Sequence, residues 1–190
     1  MTLLRIAPAA LLLVALCVPA TAAAQSGTQQ MPPLPKPGPE HDVLKMDAGT
    51  WNATVEVVPG PGAPAMTSKG VEVNTVGCGG MCLISDFKGE AMGSPFHGHG
   101  VTTWDGVKKK YMGSWTDSMS QGLAATEGTY DAATKKMTGS MEGPDMTGAV
   151  VKTRTVSEWR DANTRVTTAF MTGPDGKEIQ VMRITSTRRK

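Results

Sequence analysis

Two cysteines and two histidines carry the sharpest chemical signal in this chain. Cys78-Gly79-Gly80-Met81-Cys82 holds both cysteines that lie beyond Cys17, and His97-Gly98-His99 follows shortly after. A disulfide is the expected use of the thiols, because the N-terminal residues described below direct the chain to an oxidising compartment and the count there is even. Geometry imposes a condition. Residues four apart in an extended strand lie about 13 Å apart, whereas a disulfide needs Cα atoms about 4.4–6.8 Å apart. The chain must therefore turn at Gly79-Gly80. The alternative is metal. Two histidines two apart on a strand point to one face, and with two thiolates they would complete a tetrahedral set. The spacing matches no known finger, and Gly98 and Gly100 suit close strand approach without a metal. The pair Cys78 and Cys82 is expected to be structural, with no metal; a metal-binding protein or enzyme using Cys78, Cys82, His97 and His99 is the rival reading.

Other constellations are weaker. Asp117-Ser118-Met119-Ser120 places a hydroxyl beside a carboxylate, but a serine nucleophile needs an oriented base. No G-x-S-x-G occurs, and the segment reads as a polar turn before Gly122. No catalytic residue is assigned. The 13 methionines form no M-x-x-M cluster and read as flexible filler of a core or pocket. No C-x-x-C-H is present, and no cofactor is expected.

The elements that must position these residues begin after a leader. Arg5 is the only charge before Lys36, and an apolar run from Ala9 to Leu16 ends in small residues at Ala22-Ala23-Ala24. This is the pattern of a secretory signal peptide over residues 1–24. The run is too short for a span, so an exported chain, periplasmic or extracellular, with no membrane span after cleavage is expected. Residues 25–40 carry five prolines and read as an extended linker. The domain then covers 41–190.

A formal net charge of +2 gives no footprint for nucleic acid. Twenty-two Gly and 13 Pro work against a helical bundle. His41 to Ala48 could form a short helix ended by Gly49. From Trp51 onward apolar and polar residues alternate, as in Trp51, Ala53, Val55 and Val57. One weak repeat marks hairpins: Trp104-Asp105 with Lys109-Lys110 recurs as Tyr130-Asp131 with Lys135-Lys136, and Trp159 to Arg165 echoes it. In each, an Asp can fold onto the turn backbone. About ten short strands with sequential hairpins predict an all-β, up-and-down antiparallel barrel.

Gly49-Thr50-Trp51 resembles the G-x-W start of calycins, the superfamily of lipocalins and fatty-acid-binding proteins. The resemblance implies that Trp51 closes one end of a barrel and that an arginine of the last strand, Arg183 or Arg188, packs across it. A longer series is more specific. Pro39-Glu40-His41, Asp86-Phe87-Lys88-Gly89, Trp115-Thr116-Asp117-Ser118, Glu127-Gly128-Thr129-Tyr130-Asp131 and Thr172-Gly173-Pro174-Asp175-Gly176 fall in order. Together they resemble a bacterial family known as domain of unknown function 1579, over nearly all of residues 39–190. That family implies no activity. Barrels of eight to ten strands can hold one small ligand, so the expected partner is a small apolar or amphipathic molecule. Tyr111, Met112, Trp115 and Phe170 are candidate wall residues, and Arg154 is the candidate to meet a ligand carboxylate. A structural or interaction domain with a filled barrel is the other alternative. The pattern leaves open which face of each strand points inward, and the oligomeric state.

Overall fold

The computed structural model describes residues 31–60 and 62–190. The leader assigned above lies outside these residues, as does the first part of the linker. A compact unit covers Pro35–Lys190. It opens with α1 (Pro39–Lys45), followed by β1 (Gly49–Val57), β2 (Met66–Gly77), a 3-10 turn (Cys78–Gly80), β3 (Cys82–Ala91), β4 (Ser94–Asp105), β5 (Lys110–Asp117), β6 (Ala124–Asp131), β7 (Lys136–Pro144), β8 (Val150–Asp161), β9 (Thr164–Thr172) and β10 (Glu178–Arg188). Each strand pairs antiparallel with the next, and β10 returns to β1, closing a ten-stranded barrel. Closure leaves no strand edge unpaired.

The helix starts two residues earlier than the pattern predicts. Pro39 occupies its first position, where a missing N–H costs nothing, and the Gly38 N–H donates to His41 Nδ1 at 3.0 Å. It ends at Lys45 with Met46 as cap, so Gly49, at φ 121°, opens β1 and does not stop the helix.

The repeated hairpins form as their sequence implies. Asp105 Oδ1 accepts from the Val107 and Lys108 N–H groups, Asp131 Oδ1 from Ala133 N–H, and Asp161 Oδ1 from Asn163 N–H. Lys109 and Lys135 take the left-handed turn position at φ 55° and 52°.

Helix α1 packs against the ends of β3 and β4, and this end of the barrel is solid. Leu44, Leu83 and Tyr111 are buried together, with Val76, Trp104, Tyr130 and Met137 against them. Trp104 packs against Tyr111 with the rings tilted and their centroids 5.0 Å apart, and Tyr130 meets Trp159 edge-on at 5.8 Å. Trp51 is fully buried, and its indole donates to the Asp47 carbonyl at 2.8 Å. Of the two candidate arginines, Arg188 is the one that lies over the Trp51 ring, at 4.1 Å. It also donates to the Met46 and Ala48 carbonyls, tying the last strand to the chain entering the first. The opposite end, formed by the β1–β2, β3–β4, β5–β6, β7–β8 and β9–β10 connections, carries no helix among the described residues.

Candidate functional site

The disulfide forms. The chain reverses at Cys78, Gly79 and Gly80, all with positive φ (52°, 64° and 95°), and the Cys78 and Cys82 Cα atoms come to 5.5 Å. Glycine tolerates this conformation at little cost. The rival metal set is not brought together. Both sulfurs are bonded to each other at the closed end. Cys82 lies opposite Thr103, four residues along β4 from His99, a distance of about 13 Å. His97 and His99 are exposed on the outer face, and His99 Nδ1 pairs with Asp86 Oδ1 at 2.8 Å. Among the described residues, no cluster of three or more His, Cys, Asp and Glu side chains could hold a metal.

Gly98 and Gly100 serve a different purpose. A Cβ at Gly98 would stand 2.1 Å from the Trp115 ring, and one at Gly100 would stand 2.9 Å from it. The glycines make a shelf on β4 on which the indole of the next strand lies flat. The indole Nε1 donates to Asp117 Oδ2 at 3.0 Å. The other oxygen of Asp117 accepts from the Met119 and Ser120 N–H groups and the Ser120 hydroxyl, all within 2.9 Å. Ser118 Oγ accepts from the His97 N–H. This carboxylate is committed to organising the turn, and Ser118 is not engaged by a base.

Trp115 is one wall of a cavity of about 280 Å³ at the open end. Phe96, Met119, Met141, Met146, Val151 and Thr153 line it with Trp115, together with Asp117, Gly143 and Pro144. Apolar surface also rings the opening. Among the described residues, nine large hydrophobic side chains are exposed, and Met66, Met92, Leu123, Met146 and Val150 of these lie at this end. Further down, the inward face is small and polar. Register from Trp115 leads across Ala124, and from Gly113 across Thr126 to Met141 and Thr153. Thr155, Thr167 and Ser157 share that face, and none is fully buried although each sits inside a closed ring of strands.

The candidate wall residues separate. Trp115 lies at the cavity. Tyr111 also faces inward but belongs to the closed end, four residues along β5. Its hydroxyl donates to the Glu40 carbonyl at 2.9 Å, and burial together with the Glu40 charge pushes its pKa up to about 12. Met112, Arg154 and Phe170 are on the outer face. The reason is alternation: Thr153 and Ala169 are the buried neighbours, so Arg154 and Phe170, directly paired, must point away from the lumen. Arg154 lies 4.3 Å over the Phe170 ring and donates to both oxygens of Glu178, at 2.6 and 2.7 Å. This pair raises the Arg154 pKa and lowers that of Glu178. They border a shallow groove of about 470 Å³ outside the barrel. The carboxylate that meets Arg154 is the protein's own.

A buried ionic cluster at the closed end had no counterpart in the sequence reading. Arg165, 8% exposed, reaches from β9 across Trp51 to Asp47 at 2.7 Å and to Glu72. Trp159 Nε1 donates to Asp47 at 2.9 Å. Burial pushes the Asp47 carboxyl above its ordinary value against the pull of Arg165. For Arg165 burial opposes the cation, and the two carboxylates outweigh it and hold it protonated. Its signal was one of position. Arg165, Thr167 and Ala169 alternate, and a cation on the inward side of such a strand needs buried acids.

A closed antiparallel barrel with one end plugged and one end open defines a lipocalin-like fold. The chain belongs to the family described as protein of unknown function DUF1579, whose model matches residues 36–188. Among solved structures it is similar to an S-type phycobiliprotein lyase from Guillardia theta, with a TM-score of 0.54 and 11% identity, over 80% of this chain and 93% of that one. No curated protein matches it in sequence. Among the described residues, no helix is long and apolar enough to cross a membrane.

Proposed function

We propose that this protein is an exported carrier that binds a small apolar or amphipathic molecule through the open end of its barrel. The observation that carries the reading is the cavity of about 280 Å³ walled by Trp115, Phe96 and three methionines. Aromatic faces and thioethers supply apolar contact of adaptable shape. The apolar rim gives such a molecule a path into the cavity, and the hydroxyl-lined interior below leaves room for a polar portion. The likeness in fold to a phycobiliprotein lyase is in keeping with a barrel of this kind serving a binding role. Export is consistent with a disulfide closing the β2–β3 hairpin.

Native mass spectrometry of protein purified from its own exported fraction tests this reading. A non-covalent adduct of defined mass is expected, and it should be lost or weakened in Trp115→Ala. A fully processed, adduct-free protein that also fails to enhance the fluorescence of the neutral probe N-phenyl-1-naphthylamine would refute it.

A further inference from the structure

The cavity at the open end has a sign. Among the described residues that line it, Asp117 and Asp145 carry charge and none is Lys, Arg or His. The chain as a whole has a formal net charge of +2, so the lining is opposite in sign to the protein around it. Both carboxylates are fixed by neutral donors. Asp117 accepts from the Trp115 indole, the Met119 and Ser120 N–H groups and the Ser120 hydroxyl. Asp145 Oδ1 accepts from the Thr147 and Ala149 N–H groups and the Thr147 hydroxyl, at 2.7–3.1 Å. These bonds, the Thr147 hydroxyl first, hold the Asp145 carboxyl below its ordinary pKa. Neutral N–H and O–H donors stabilise a negative charge without cancelling it. The loops that carry the two acids are tied to each other: the Gln121 N–H donates to the Asp145 carbonyl at 3.4 Å, and the Gln121 side-chain amide donates to the Met146 carbonyl at 3.0 Å.

The wall beside the acids is aromatic and thioether. Trp115 covers Gly98 with Cζ2, Cη2 and Cε2, and Gly100 with Cε3 and Cζ3. One face of the indole is therefore backed by β4, and the opposite face turns to the lumen. The residue stays half-buried. An aromatic face attracts a cation through the ring quadrupole, and Trp does so best. Phe96 and three methionines extend the surface with polarizable groups that adapt to alkyl shapes.

Together these features decide the class of ligand. A molecule seated here takes water from two carboxylates, a cost that a neutral ligand leaves uncompensated and an anionic one increases by repulsion. A cation offsets it. The form of the cation follows from the free acceptors. Asp117 already accepts four hydrogen bonds, which leaves few lone pairs for the three N–H donors of a primary ammonium. An alkylated ammonium donates none and needs only charge and apolar contact.

We propose that this cavity selects organic cations with an alkylated ammonium head, held on the open face of Trp115 beside Asp117 and Asp145. The proposal rests on the carrier reading above and names the class of its ligand, with Trp115 and Asp145 as specificity-determining residues.

The test is calorimetric titration of the full processed protein at about pH 7.5 with four probes of one chain length: octyltrimethylammonium, octylammonium, octan-1-ol and octanoate. Octyltrimethylammonium should bind about tenfold more tightly than the alcohol, the scale of one desolvated cation–π contact. It should also bind more tightly than octylammonium, with octanoate weakest. Asp145→Asn keeps the oxygen that organises the turn and removes the charge, so the ratio of trimethylammonium to alcohol affinity should fall about threefold. Trp115→Leu keeps an apolar side chain and removes the π-face. It should lower the same ratio, and it carries the test if the asparagine variant fails to fold. Equal wild-type affinities for octyltrimethylammonium and octan-1-ol, or a ratio unmoved by either substitution, would overturn cation selection and leave the carrier reading standing. Tightest binding of octylammonium would overturn the alkylated head, and tightest binding of octanoate would overturn the argument from charge. Failure of all four probes to bind would remove the carrier reading itself.

Discussion

The contact between Gly98 and Trp115 can be isolated cleanly. In Gly98→Ala the new Cβ would lie 2.1, 2.7 and 3.0 Å from three atoms of the Trp115 ring, and those are its nearest neighbours. No backbone atom is among them, and Gly98 does not have a positive φ. The tightest contacts therefore all fall on one side chain. Overpacking of this kind costs about 1–3 kcal/mol. The indole cannot swing away freely, because its Nε1 would leave Asp117 Oδ2, and a hydrogen bond to a charged group is worth roughly 1.5–3 kcal/mol. Relief by rotation thus exchanges one penalty for another of similar size, and a net loss of about 2 kcal/mol is expected. For a domain of this length that lowers the Tm by about 4–8 °C. The assay is a double-mutant cycle by urea denaturation: Gly98→Ala, Trp115→Ala and the pair. In the Trp115→Ala background, Gly98→Ala should cost nothing or stabilise slightly, since an alanine orders less unfavourably than glycine in a strand. Gly139→Ala is the control. There the Cβ would meet the Glu127 carbonyl oxygen at 2.2 Å, and removal of Trp115 should rescue nothing. A coupling near zero between Gly98→Ala and Trp115→Ala would refute the claim that the glycine exists to seat the indole.

Arg165→Ala should destabilise by roughly 3–5 kcal/mol, because it leaves two buried carboxylates without their cation. Burial already raises the Asp47 pKa, and losing Arg165 removes the main pull against that rise, so this variant's stability is greatest at low pH and falls as pH rises. Urea titrations at several pH values should show its deficit shrinking on acidification, and a deficit independent of pH would contradict the cluster's electrostatics. At the turns the sign is opposite. Asp145 is held below its ordinary pKa first by the Thr147 hydroxyl, Asp131 by the Thr134 hydroxyl, and Asp105 by the Lys108 N–H. Their stabilisation is present above about pH 4 and lost as pH falls through the depressed values. Asp145→Asn should flatten the acid limb of a melting curve taken between pH 5 and pH 2, and an unchanged limb would count against the turn bonds. Reduction of Cys78–Cys82 should cost only about 2 kcal/mol, since the ring is small. A two-state melt of the reduced protein, shifted but cooperative, is the expected readout, and outright unfolding would show that the bridge holds more than its hairpin.

The barrel itself was legible because strand periodicity and turn chemistry agree along the chain. The Asp-to-Lys repeat encodes the same turn at Asp105 and Asp131, down to the left-handed lysine. The disulfide was legible for a similar local reason: two glycines permit the reversal that the bridge requires. Facing was not. Arg154 and Phe170 are as apolar-stacked and as close in space as a ligand wall would be, yet both lie outside, because β8 and β9 keep Thr153 and Ala169 inward. A strand of small residues offers no contrast by which one face can be told from the other. Met119, Met141 and Met146 come from a turn, a strand and another turn, and only closure of the barrel gathers them at one opening. Arg165, Glu72 and Asp47 are separated by up to 118 positions in sequence, and no local pattern links them.

The two ends of the barrel divide the work that a thin core imposes. The aromatic pairs, Trp51, the α1 plug and the Arg165 cluster concentrate buried contact at one end. Arg188 ties the strand ends together through hydrogen bonds to the Met46 and Ala48 carbonyls. With the ring closed there, the strands are held in register along their whole length by backbone pairing. The other end therefore does not need a packed interior to stay folded, and it can keep Gly, Ser and Thr on its inner wall.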